Sequence, residues 1–181
     1  MARFDEPISL SPQAFELAVK GILDASGKEL VSYSSSHLEK VEGTDGDYII
    51  DVVARFVALE AEFLVLIECK HHRRKIERHD VQALFAKMQS TGAQKGMLFS
   101  TSGYQSGAIE FAGAHGIALV QLADGNTSWA ARSASPLATR PDWAGTFEYC
   151  GWWHHGNNFS VMSEDINSYT RMALGLDPET A

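Results

Sequence analysis

Cysteine is scarce in this 181-residue sequence, which contains only Cys69 and Cys150. Two thiols this far apart do not make a disulfide framework, and a reducing cytoplasm is the expected location. No apolar run reaches the roughly 18–20 residues that a membrane-spanning helix requires, so we expect no membrane contact. The N-terminal MARFDEPISL has no basic head before an apolar stretch, and we expect no signal peptide.

Basic side chains are outnumbered, and the formal net charge is −8. This balance argues against a protein that coats DNA, because phosphate binding favours Lys and Arg. The charge is uneven, however: residues 70–122 hold 7 basic and 3 acidic side chains, whereas residues 1–69 and 123–181 are both net acidic. We therefore expect contact with a polyanion on one surface only.

The hydrophobic share of 45% is that of a globular protein with one large core. Apolar spacing and turn residues predict the order α-β-β-β-α-β-α-β, in which the last units are βαβ-like. The predicted fold class is α/β, with a mixed central sheet flanked by helices. Residues 1–122 form the predicted core, and residues 123–181 form an aromatic-rich extension packed on it, with loop or linker at 123–145.

Two segments rich in β-branched and aromatic residues, 48–57 and 63–70, predict a buried hairpin. A turn centred on Leu59 and Glu60 would place Asp51 directly opposite Glu68, with their side chains on one face. Lys70 shares that face because it lies two residues beyond Glu68. Two carboxylates and one ammonium thus converge at the end of an otherwise apolar hairpin.

Such a cluster suits a hard divalent cation, because Mg2+ prefers oxygen ligands and keeps several waters. The predicted ligands are Asp51, Glu68 and the main-chain carbonyl of Cys69, with Glu16 of the first helix as a further carboxylate. Lys70 is expected to orient the attacking water or to stabilise charge on the phosphate. The alternative is a buried Asp/Glu/Lys network that only holds the sheet together, because an isolated D…ExK pattern also arises by chance.

Residues 12–122 resemble the Mrr-like restriction endonuclease domain, which belongs to the PD-(D/E)xK nuclease superfamily. The matching features are the Phe-Glu pair of the first helix, DYIIDVV, FLVLIECKHH, KGMLFSTSGYQSGA and the closing HGIALV. The resemblance implies Mg2+-dependent cleavage of DNA phosphodiesters.

By motif, the resemblance makes Asp51 and Glu68 metal ligands, Lys70 the catalytic lysine and Glu16 a supporting acid. Gln82, on the helix after the ExK strand, is a weaker catalytic candidate. The sequence departs from the superfamily pattern at Ile50, where the proline of the name would stand. The segment after residue 122 also has no counterpart in the resemblance.

The basic segment HHRRKIERH, residues 71–79, directly follows the ExK strand. Its cations are expected to grip the DNA backbone beside the scissile phosphate, and the alternative is a solvated loop. The predicted phosphate-binding residues are Arg73, Arg74, Lys75 and Arg78.

Two other polar clusters have ordinary interpretations. The run from Trp152 to His155 suggests stacking on bases, although core packing is more typical of such aromatics. Ser100, Thr101 and Ser102 resemble nucleophiles, but no catalytic base is evident near them, which favours a strand-end polar cluster.

The sequence as a whole predicts an endodeoxyribonuclease of restriction or repair type. Mg2+ or Mn2+ is the expected cofactor and DNA the expected partner. A homodimer is expected because duplex cleavage needs two active sites. Two alternatives stay open: a non-catalytic module that binds nucleic acid or protein, and a regulatory subunit that retains the nuclease fold.

Overall fold

The computed structural model describes residues 8–28, 30–124, 149–155, 158–163 and 168–176. Its elements in chain order are α1 (Pro12–Gly27), β1 (Val31–Gly43), β2 (Gly46–Ala58), β3 (Ala61–Lys70), α2 (Arg78–Thr91), β4 (Lys95–Ser100), α3 (Ser106–Ala114), β5 (Ala118–Asp124), β6 (Tyr149–His155), β7 (Asn158–Met162) and α4 (Ser168–Ala173). The predicted order is confirmed as far as β5. Within these described ranges, no helix is long and apolar enough to cross a membrane.

Seven strands form one mixed sheet, and their order across the sheet equals their order along the chain. β3, β4 and β5 are parallel, whereas the pairs at either side of them are antiparallel. The β3–α2–β4 and β4–α3–β5 crossovers step the same way across the sheet. Because such crossovers are almost always right-handed, α2 and α3 lie on the same face.

A hydrophobic core lies on each face of the sheet. The α1 face buries apolar residues of α1, β2–β6 and α4, among them Phe15, Val52, Phe99 and Trp153. The α2–α3 face buries a second set that includes Ile50, Leu66, Leu84 and Leu98. A sheet covered on both sides explains why its central strands are almost continuously apolar.

The hairpin between β2 and β3 forms at the predicted turn, with Ala58 paired to Ala61. Leu59 and Glu60 have φ of 50° and 64°, so both central residues lie in the left-handed region. A type I′ turn requires that conformation and usually takes Asn or Gly there. Neither Asn nor Gly stands at this turn, so the sequence gives only a weak indication of it.

The start of α2 corrects one expectation about capping. Asp80, an acidic residue just ahead of an apolar stripe, predicts an N-cap at that position, but the helix begins at Arg78 and Glu77 is the N-cap residue. The Asp80 carboxylate instead reaches back and accepts the Glu77 backbone N–H at 3.0 Å. This is a capping box, in which an acidic residue at the third helical position binds the cap.

Beyond β5, the described residues continue the same sheet. The aromatic segment that contains Trp152 and Trp153 forms β6, which pairs with β5. β7, which was not predicted, then pairs with β6. Most of the predicted linker, with Trp129 and Trp143, lies outside the described residues. The division of the chain at residue 122 stays a prediction.

Candidate active site

Glu68 and Lys70 lie at the carboxyl end of β3, in the middle of the sheet. The β2–β3 register runs as far as the pair Val52–Ile67. Asp51 and Glu68 come directly after that last pair, and the two carboxylates lie close enough for the charge of Glu68 to raise the pKa of Asp51. Their direct opposition across the hairpin stays a prediction. Strand pairing therefore brings both carboxylates to one place, beside the polar end of β4.

The strand β2 is irregular at Asp51. Ile50 packs in the core of the α2–α3 face, whereas Val52 packs in the core of the α1 face. Residues two apart in a regular strand would share one face. Leu38, which stands across from Asp51 in β1, has a φ of 53°. Local irregularities of this kind re-aim a side chain and often lie beside active sites.

The Asp51 carboxylate is held against the ExK strand. Its Oδ2 accepts the backbone N–H of Cys69 at 2.7 Å. Burial raises the pKa of the Asp51 carboxyl above its ordinary value, and the negative charges of Glu68 and Glu16 raise it further. The Cys69 hydrogen bond and the Lys70 ammonium oppose these effects. A cation bound nearby would therefore favour the charged form of Asp51 and lower its pKa.

Glu68 is buried, with 6% of its surface exposed, and it lies between two lysines. Its Oε1 is 2.5 Å from Nζ of Lys87 on α2, and its Oε2 is 3.3 Å from Nζ of Lys70. A carboxylate this deeply buried requires such partners, because an unpaired buried charge is strongly destabilising.

Glu16 reaches the site from α1. Its Oε2 lies 2.7 Å from Nε2 of His37 on β1, and both side chains are mostly buried. Burial raises the pKa of the Cys69 thiol, and the charges of Asp51, Glu16 and Glu68 add to that effect. The four predicted residues Asp51, Glu68, Lys70 and Glu16 are therefore close enough to act on one another.

Sequence reasoning missed Lys87 and His37. Lys87 lies between the buried Leu84 and Met88 of α2, where a charged residue usually marks the solvent side of an amphipathic helix. It is also 19 residues from Glu68, so no local motif joins the two. His37 belongs to the polar part of β1, and only the packing of α1 on the sheet brings it to Glu16.

Gln82 stands apart from this cluster. Its side chain is exposed on α2. Five helical positions separate it from Lys87, which turns it by about 140° around the helix axis. Its catalytic role stays a prediction.

The donor set fits a small, hard cation. Mg2+ is commonly bound through one or two carboxylates and completes its shell with water and substrate oxygens. Asp51 and Glu68 meet that requirement, and only Oδ2 of Asp51 is used by the backbone. Among the described residues, no group of three or more His, Cys, Asp and Glu side chains is arranged to hold a metal.

The cations of the basic segment, residues 71–79, differ in their contacts. Arg74 forms ion pairs with Glu77 at 3.0 Å and Asp80 at 3.5 Å. Arg78 lies over the Phe111 ring, with its guanidinium carbon 5.2 Å from the ring centroid. The remaining two, Arg73 and Lys75, are exposed and have no ion pair within the described part of the chain.

The segment after β4 fixes the backbone of this basic segment. Thr101 Oγ1 donates to the His72 carbonyl at 3.1 Å, and Ser102 Oγ donates to the Arg74 carbonyl at 2.6 Å. The Ile76 backbone N–H donates to the Gly103 carbonyl at 2.9 Å. These hydroxyls, expected only as a polar strand end, thus hold the cations beside the carboxylates.

The aromatic run of β6 contributes to packing. Trp153 is 8% exposed and belongs to the core of the α1 face. Trp152 packs against a small cluster formed by Ala123, Cys150 and Val161. Core packing is therefore the main role that the structure gives to these two rings.

A comparison with protein-family models agrees with this architecture. The family model Mrr_cat, described as restriction endonuclease, matches residues 8–127. No curated protein has a significant match to the chain. Among solved structures, a crystal structure of a protein of unknown function, AF1548, is 23% identical, with a TM-score of 0.45. That match covers 57% of this chain and 56% of the other.

The family match extends from just before α1 to just after β5, and so includes every residue of the Asp51, Glu68 and Lys70 cluster. It covers well over half of the 181 residues. The members of this family are nucleases of the restriction endonuclease type. The chain belongs to the Mrr-like restriction endonuclease family.

Proposed function

We propose that this protein is a Mg2+-dependent endodeoxyribonuclease, with Mn2+ as an alternative cofactor, that hydrolyses DNA phosphodiester bonds. One observation carries the proposal: Asp51 and Glu68 converge beside Lys70, and the pKa of Asp51 is raised by burial and by neighbouring carboxylates. Carboxylates gathered at the end of a sheet, one of them with a raised pKa, are what a cation site requires.

Asp51 and Glu68 are the side chains that would hold the metal, together with the Cys69 carbonyl, while Glu16 adds negative charge from α1. Bound Mg2+ supplies Lewis-acid polarisation of the phosphodiester and a lowered pKa for a nearby water. Lys70 places its ammonium at this edge, where it stabilises the charge that develops on the phosphate. The Cys69 N–H fixes the Asp51 carboxylate through its Oδ2.

DNA is the proposed substrate, and the basic segment is its proposed contact. Arg73 and Lys75 are the cations available for phosphate, because Arg74 and Arg78 already contact acidic or aromatic groups. The acidic balance of residues 1–69 disfavours a second phosphate-binding surface there. DNA is therefore expected to approach along the face that carries residues 71–79.

Double-strand cleavage would need two copies of the chain, since one chain supplies one Asp51–Glu68–Lys70 cluster. We accordingly propose a homodimer on duplex DNA. Sedimentation velocity with and without a short duplex measures this directly. A species of one chain per duplex that still cuts both strands would exclude the dimer.

The experiment for the proposed activity is nicking of supercoiled plasmid with Mg2+ or Mn2+. Wild type, Asp51→Ala and Lys70→Ala are compared, and Lys95→Ala serves as a control because Lys95 starts β4, away from the cluster. Metal-dependent nicking that both site variants lose and the control keeps supports the nuclease. No cleavage of plasmid, branched DNA or single strands by wild type would exclude it.

A second candidate is a non-catalytic nucleic-acid-binding module with the nuclease fold. The observation in its favour is that lysines engage both oxygens of Glu68, as in a network that only stabilises the fold. Such a module would bind DNA in a salt-dependent manner without metal-dependent cleavage. Complete absence of DNA binding would favour a regulatory subunit instead.

A further inference from the structure

Within the described part of the chain, Lys87 is the lysine that reaches Glu68 from an element other than the ExK strand. Its Nζ lies 2.5 Å from Oε1 of Glu68, closer than Lys70 at 3.3 Å. Lys70 follows Glu68 by two residues on the same strand, so the strand alone sets the distance between their backbones. Lys87 reaches Glu68 only through its extended side chain from α2.

The backbone of Lys87 is fixed, whereas its ammonium can move. Its neighbours Leu84 and Met88 are buried in the core, and Thr91 Oγ1 donates to the Lys87 carbonyl at 2.8 Å. The lysine side chain is 25% exposed and has four flexible carbons. Its ammonium can therefore leave Glu68 for solvent without any movement of the helix.

The charges at the site favour a cation in this position. Asp51, Glu68 and Glu16 bring three carboxylates together, and Lys70 and Lys87 are the ammonium groups that act on Glu68. Without Lys87, the buried Glu68 would keep only the longer contact with Lys70. A metal on Glu68 would supply that missing charge, and an ammonium on the same carboxylate would repel it.

We propose that Lys87 is a displaceable counter-cation that competes with the divalent metal for Glu68. This inference rests on the proposed nuclease function and adds a control on metal occupancy. Lys87 keeps the buried carboxylate paired when no metal is bound, and it weakens metal binding because the metal must displace it. Lys87 is thus a positioning residue that acts through Glu68.

The test is a titration of the full chain with Mn2+, in which the electron paramagnetic resonance signal of the free ion reports binding without any substrate. Removal of the Lys87 charge in Lys87→Gln is expected to tighten Mn2+ binding about tenfold, the scale of one charge contact in a partly buried site. Lys87→Met should give the same tightening, so the result does not depend on one variant folding. Lys87→Arg keeps the charge and should stay within about twofold of wild type.

Two controls separate the possible failures. Lys95→Met removes a lysine about 10 Å from Glu68 along the strand direction and should leave the affinity unchanged. Asp51→Asn should abolish binding at this site. Equal or weaker binding by both Lys87→Gln and Lys87→Met overturns the counter-cation and leaves the nuclease intact. Wild type that binds no Mn2+ at this site overturns both the counter-cation and the metal-dependent nuclease.

Discussion

One row of residues across the sheet has two contrasting ends. Followed through the strand registers, the row contains Glu68, Leu98, Leu119, His154 and Phe159, and Asp51 lies near Glu68 at its first end. At the ionic end, Asp51 and Glu68 meet Lys70 and Lys87. At the aromatic end, the His154 ring lies 5.1 Å from the Tyr104 ring and 4.5 Å from the Phe159 ring.

Burial affects both ends but has opposite consequences. It raises the pKa of Asp51, whose neighbours include Glu68 and Glu16. It lowers the pKa of His154 to about 4, and within the described residues the buried His154 Nε2 has no hydrogen-bond partner. The His154 ring is therefore neutral at physiological pH and packs as an aromatic group. The ionic end keeps charged side chains close together, whereas the aromatic end contributes packing.

The largest expected effect is on stability, from the apolar middle of the row. Leu119 is 2% exposed and lies next to His154. Leu119→Ala should lower the free energy of unfolding by about 3 kcal/mol, because it leaves a cavity under α3. Urea unfolding followed by circular dichroism measures the loss. Leu59→Ala, at a turn position that is 99% exposed, is the matched control and should change stability by less than about 0.5 kcal/mol.

Because of the aromatic end, the free energy of unfolding should fall as the pH is lowered. The pKa of His154 is lowered from 6.5 to about 4 in the folded protein, so the unfolded chain binds more protons between these values. Stability from the neutral ring is complete above pH 6.5 and is lost as the pH falls towards 4. The loss from this group reaches about 3 kcal/mol in wild type once the pH is below 4. His154→Phe should not show it, and parallel pH profiles for the two proteins would contradict the prediction.

The ionic end should show the opposite sign. The pKa of Asp51 is raised above 3.8 in the folded protein. The protonated Asp51 therefore contributes stability below pH 3.8, and this contribution is lost as the pH rises through the raised pKa. In EDTA, Asp51→Asn should therefore unfold at a higher temperature than wild type at neutral pH. The difference should shrink as the pH falls towards 3.8. A variant less stable than wild type at pH 7 would mean that the Asp51 charge is well compensated.

The smallest expected effect concerns the basic segment beside the ionic end. Ser102→Ala removes the hydroxyl that donates to the Arg74 carbonyl. The effect is small because a water molecule can donate to this exposed carbonyl instead. DNA binding should weaken about threefold, consistent with roughly 0.6 kcal/mol for one exposed hydrogen bond. Fluorescence anisotropy with a labelled duplex measures the change. Ser34→Ala on the exposed part of β1 is the control. Equal weakening of DNA binding in both variants would show that the Ser102 hydrogen bond does not contribute to it.

The sequence predicted the elements whose signals are local. The β2–β3 hairpin, the ExK strand and the apolar face of α1 follow from residue spacing within about 20 positions. Their pairing then brings Asp51 close to Glu68. The start of α2 was misplaced because both Glu77 and Asp80 have the character of caps, and only the backbone geometry distinguishes them.

The parts that could not be predicted depend on long-range packing. Lys87 and His37 join the site because α2 and α1 cover the sheet at particular angles, which spacing along the chain does not determine. The sequence around Asn158 and Phe159 carries no strand pattern, so β7 could not be predicted. β7 is a strand because it pairs with β6. The local irregularity at Asp51 likewise depends on the left-handed Leu38 in the neighbouring strand.

The most direct test is the single-turnover rate of cleavage of an end-labelled DNA duplex in Mg2+, measured for wild type, Lys70→Ala and His154→Phe. Loss of Lys70 should lower the rate by about 10²–10³-fold, as for other groups that stabilise transition-state charge. His154→Phe should stay within about twofold of wild type, since it alters only the aromatic end. Full activity in Lys70→Ala, or an equal loss in both variants, would contradict the assignment of the chemistry to the ionic end.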